Sequence, residues 1–154
     1  VYLIEAVLEK DYVKGQIQLI RKHISNLLAT EDERDIKLLE KDLKKRFDEL
    51  QVLYKKYQKF LAVIEKAKAS INIQFNDTTV TLGEALIFRD SLVEKLNDVS
   101  YIYNNALEQK SNHLVIDIET LLDLINELRL DIKTLDYKIH QAYWSATISG
   151  GDKS

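Results

Sequence analysis

The chain has 154 residues, 45% of them hydrophobic and 31% charged, with no proline, cysteine or methionine and four glycines. That is enough chain for one domain with its own core, and little in it interrupts a helix. The absence of cysteine removes disulfides, thiolate catalysis and zinc sites built on cysteine.

The net charge of −3 gives no reason to expect a nucleic-acid partner. The charge is uneven: residues 1–75 hold 15 basic and 12 acidic side chains, and residues 76–154 hold 7 and 13. Such asymmetry can orient the halves of one chain or two copies of it. No apolar run approaches the roughly 18 residues of a membrane span, and no signal peptide is visible. A cytoplasmic protein is expected. The first residue is Val1 rather than methionine, so residues ahead of it are expected as well.

A first helix is predicted over residues 3–28. Leu3, Ala6, Lys10, Val13, Ile17, Ile20, Ile24 and Leu27 recur at spacings of three and four, and Lys10 is the only polar member. Thr30 and Glu33 form a capping-box pattern that would open the second helix. The second helix runs to about Ile71 on a stripe of Ile36, Leu39, Leu43, Arg46, Leu50, Leu53, Tyr57, Phe60, Ile64, Ala67 and Ile71. Part of so long a stripe is expected to project beyond a single-chain core and to need a partner, most simply another copy.

Residues 73–81 break the pattern. Phe75 and Val80 flank Asn76-Asp77, which reads as a turn or short β-like connection. Thr81 and Glu84 make a second capping box. A third helix follows on Leu82, Ala85, Arg89, Leu92, Leu96, Val99, Tyr103 and Ala106. The polar segment EQKSNH (108–113) connects it to a fourth helix on Leu114, Ile118, Leu121, Ile125, Leu128, Ile132, Leu135, Ile139, Ala142 and Ala146. Residues 148–154 are expected to be a disordered tail. The fold class is all-α: an antiparallel bundle of coiled-coil hairpins in one domain over residues 1–147.

The two hairpins look duplicated. LIEAVLEKDYVKGQI from Leu3 aligns with LGEALIFRDSLVEKL from Leu82, pairing Glu5 with Glu84, Lys10 with Arg89 and Asp11 with Asp90. IEKAKASIN from Ile64 aligns with IHQAYWSAT from Ile139 in the same order. The repeats are 1–72 and 82–147.

Lys10, Arg46 and Arg89 interrupt apolar stripes. A cationic site for an anionic ligand is one reading. The favoured one is a register role, with long stems covering the core and heads pairing with Glu5, Glu84, Asp11 or Asp90. Glu5 and Glu84 fall in first turns, where a carboxylate suits the helix dipole. His23, His113 and His140 lack the spacing of a metal helix, so no metal or cofactor is expected. No G-x-S-x-G or glycine-rich phosphate loop is present, and no catalytic residue is assigned. In YKKYQKF (54–60) the aromatics Tyr57 and Phe60 fall on the stripe, which favours a core role over nucleic acid. Tyr143 and Trp144 form an aromatic pair suited to an oligomer interface or to capping the bundle.

LIEAVLEKD at the N-terminus, TLGEALIFRDSLVEKL from Thr81 and LDYKIHQAYWSATI from Leu135 resemble the septicolysin-like family of uncharacterised bacterial helical proteins. The resemblance implies helical oligomers. It also implies a longer, more basic and aromatic segment between the last two helices, where this chain has EQKSNH. The expected function is a homo-oligomeric helical scaffold or interaction protein. The alternative implied by the family name is a membrane-active cytolysin, and only that alternative calls for membrane contact.

Overall fold

The computed structural model describes residues 1–29, 36–109 and 117–148. Among them the chain forms α1 (Leu3–Ala29), α2 (Ile36–Ser70), β1 (Asn72–Phe75), β2 (Thr78–Thr81), α3 (Leu82–Glu108) and α4 (Ile118–Ser145). Helices α1 and α2 make one αα-hairpin and α3 and α4 the other, so the fold is all-α apart from the short β-hairpin between them. The expected capping box of Thr30 and Glu33 lies outside the described residues, as do His113, Leu114 and residues 149–154.

The chain divides into two compact units, Val1–Ala67 with Thr147–Ser154, and Lys68–Ala146. In the second unit, α3 and α4 zip together around Val99, Leu121, Ile125 and Leu128, flanked by Leu92, Leu96, Tyr103, Ala106 and Leu124. The buried residues of α4 (Leu121, Ile125, Leu128, Leu135 and Ile139) fall at the three-four spacing of a coiled-coil seam. Leu82 and Leu135 are completely buried. Each seam leucine withdrawn from water contributes roughly 1.5–3 kcal/mol.

The β-hairpin lies against α3 and α4. Its strands are antiparallel, with Ile73 opposite Val80 and Asn72 opposite Thr81. Ile73 and Val80 are both buried, so the hairpin turns one apolar face inward. The connection is a two-residue turn with φ of 49° at Asn76 and 61° at Asp77. Two successive left-handed residues define a type I′ turn, which suits the twist of the strands, and Asn and Asp tolerate that conformation better than other non-glycine residues. The turn expected from Asn76-Asp77 is thus a β-hairpin.

Thr81 opens α3 with a complete capping box. The Glu84 amide donates to Thr81 Oγ1 at 3.1 Å, and the Thr81 amide donates to Glu84 Oε1 at 3.3 Å. Asp117 caps α4, accepting from the Glu119 amide at 3.2 Å. In the first unit, Tyr2 forms an antiparallel bridge with Thr147, and the Ile148 amide donates to the Val1 carbonyl at 2.9 Å. Ile148, placed in the tail by the sequence, is therefore hydrogen-bonded to the start of the chain.

Candidate interaction surface

Helix α2 spans 35 residues, about 52 Å at 1.5 Å per residue. Its apolar stripe is regular, but its only buried residues are Ile64 and Ala67, in its last two turns. From Ile36 to Val63 every residue is half-buried or exposed. Leu39, Leu43, Leu50, Leu53, Tyr57 and Phe60 are half-covered, while Phe47, Val52 and Tyr54 stand in solvent. A groove of about 870 Å3 opens here between Gln16 and Ile20 of α1 and the α2 residues from Lys41 to Leu53. Lysines 41, 44 and 45 rim it beside Asp42, Asp48 and Glu49, so its edge is charged and its floor apolar.

The cations in the stripes are paired. Arg46 Nη1 meets Glu49 Oε2 at 3.0 Å one turn along α2, and Arg46 also lines a small cavity with His23, Asn26 and Leu27 of α1. Lys10 Nζ lies 2.9 Å from Asp11 Oδ1. Arg89 repeats that pairing, with Nη2 at 3.2 Å from Asp90 Oδ1. Its Nη1 also reaches Asp136 of α4 at 3.6 Å, joining the two helices of the second hairpin. Asp136 Oδ1 is buried and accepts no hydrogen bond, so Arg89 is its counter-charge. In the repeat alignment Asp136 corresponds to Leu61, so Lys10 has no equivalent carboxylate across its hairpin.

Glu5 and Glu84 act at helix starts. Glu5 Oε2 accepts from the Tyr2 amide at 2.9 Å, one half of the box that Glu84 completes with Thr81. Tyr143 is half-buried and Trp144 is 66% exposed, so the pair splits between core and surface. Lys55, Lys56 and Lys59 are solvated, and Tyr57 and Phe60 turn partly inward.

The sequence reading missed two outward rows. On α4, Leu130, Tyr137 and Trp144 lie seven residues apart and are exposed. On α1, Leu8, Tyr12 and Leu19 are exposed at the heptad spacing, with Gly15 between them. The regular spacing was the available signal, overshadowed by the stronger inner stripes. Also missed was the Lys138 ammonium, which donates to the Gln74 carbonyl and ties α4 to β1.

Among the described residues, no three His, Asp or Glu side chains gather as metal ligands, and no helix is long and apolar enough to cross a membrane. The architecture is that of a two-hairpin helical protein with apolar rows facing outward. Comparison with family models, with curated proteins and with solved structures gave no match.

Proposed function

We propose that this chain works as a homo-oligomeric helical scaffold, a member of the septicolysin-like group in which assembly is the functional state. The observation that carries the reading is the half-covered α2 seam. A 28-residue stretch, Ile36–Val63, keeps coiled-coil spacing, yet no side chain in it is fully buried within the chain. Exposed seams of this length are covered by other helices, since apolar area removed from water gains roughly 25 cal/mol per Å2. Charge supports a copy of the same chain as the cover. Residues 1–75 are net basic and residues 76–154 net acidic, so unlike halves of two copies attract.

The test is thermal unfolding over a range of protein concentrations. An assembly whose folded state depends on association unfolds at a higher temperature when concentrated, by mass action. Leu50→Glu, which puts a charge in the α2 seam, should lower the melting temperature and weaken its concentration dependence. A wild-type melting temperature that stays constant over a hundredfold dilution would reject the reading.

A further inference from the structure

Gly15 lies in the middle of α1, where glycine costs about 1 kcal/mol relative to alanine. A Cβ placed on it meets no atom within 4 Å, so nothing inside the chain requires a glycine there. Its neighbours along the same face are Leu8, Tyr12 and Leu19, which are 58%, 64% and 60% exposed. The row 8, 12, 15, 19 keeps the four-three-four spacing of a coiled-coil seam. At 3.6 residues per turn it lies on the side of α1 away from the buried Ala6, Val13, Ile17 and Ile24. Helix α1 therefore has two seams, and the chain fills only one.

We infer that the outer seam pairs antiparallel with the same seam of a second copy across a twofold axis, with Tyr12 of each copy seated over Gly15 of the other. That register sets Leu8 opposite Leu19 of the second copy, and it sets the largest residue of the row opposite the smallest. The glycine supplies the space the tyrosine ring needs, which gives a reason for its position.

Charge selects the antiparallel direction. Residues 3–14 of α1 carry Glu5, Glu9 and Asp11 against Lys10 and Lys14, a net of −1, whereas residues 15–29 carry Arg21 and Lys22 and no acidic residue, a net of +2. Antiparallel pairing in this register sets Glu5 opposite Lys22 of the second copy on both sides of the axis, and parallel pairing sets Glu5 beside Glu5 and Lys22 beside Lys22. Antiparallel helix dipoles favour the same choice. The contact is isologous, so it closes a pair without leaving an open end. It rests on the homo-oligomer reading and adds to it a second interface, on α1, separate from the α2 seam.

Engineered thiols test it, because the chain has no cysteine of its own. A variant carrying both Leu8→Cys and Leu19→Cys should form a covalent dimer under mild oxidation. Within one helix these positions are about 16 Å apart, too far for an internal disulfide. Each single variant should remain uncrosslinked, and adding Gly15→Leu to the double variant should abolish the dimer while helicity by circular dichroism is retained. A double variant that does not crosslink, or a Leu8→Cys variant that crosslinks alone, overturns the antiparallel seam. If wild type is still oligomeric by light scattering in that event, only this interface falls. If wild type is monomeric, the scaffold reading falls with it.

Discussion

Tyr2 bridges Thr147 as Thr81 pairs with Asn72, each joining the residue just before a leading helix to the residue two past a closing one. Each hairpin thus begins and ends on a strand segment, and in each the residue before the leading helix pairs with the residue two past the closing helix of the other hairpin. The duplication read from LIEAVLEKD and LGEALIFRD extends to this backbone pairing. It predicts that the chain tolerates circular permutation. Joining Ile148 to Val1 through a two-residue Asn-Gly turn, and opening the chain between Asn76 and Asp77, should preserve the far-ultraviolet helical signal and cooperative melting. An unfolded permutant would show that the two strand pairs are not equivalent.

The two leading helices differ in their caps. Thr81 gives both halves of a capping box to α3, whereas Tyr2 has only the Glu5 half. Thr81→Ala should therefore destabilise the protein by about 1 kcal/mol. For a chain of this size that lowers the melting temperature by about 2–4 °C. Tyr2→Ala should not show the loss of a side-chain cap, and calorimetry on the two variants separates the cases.

Arg89 and Asp136 hold α3 to α4 through the one interhelical ion pair described in the second hairpin. Both groups are partly solvated, so their coupling should be modest, on the order of 1 kcal/mol. Arg89→Met should cost more than the paired change Arg89→Met with Asp136→Leu, because the single variant leaves a buried carboxylate oxygen without its counter-charge. Denaturant unfolding of the double-mutant cycle reads this directly. Equal costs for the single and double variants would show that the pair is incidental.

The inner and outer rows of α4 should respond differently to truncation. Leu135 is completely buried and Leu130 is 64% exposed. Leu135→Ala should cost about 3 kcal/mol, since it removes transfer energy and leaves a cavity. Leu130→Ala should change the stability of the chain by less than about 0.5 kcal/mol. Urea midpoints of the two variants test the assignment of the rows.

Much of this was legible in the sequence, for local reasons. The stripes of α1, α3 and α4, the Thr81–Glu84 cap and the Asn76-Asp77 turn depend on residues within a few positions of one another. The length of α2 was legible too, and with it the expectation that its stripe outruns the core. The contacts of Arg89 with Asp136 and of Lys138 with Gln74 were not, because they join residues distant in sequence and depend on how the elements pack. The cap of α4 at Asp117 was passed over because Leu114 fits the same frame as Ile118 and drew the predicted helix earlier. The Tyr2–Thr147 pairing was hidden because two-residue strands have no periodicity to read.

The central claim is that the α2 seam is covered by another copy. The mass of the wild-type chain in solution, by light scattering at micromolar concentration, tests it most directly. A particle at a whole-number multiple of the 17.9 kDa chain, made smaller by Leu50→Glu, is the predicted result. A wild-type particle of 17.9 kDa at every concentration tried would contradict it.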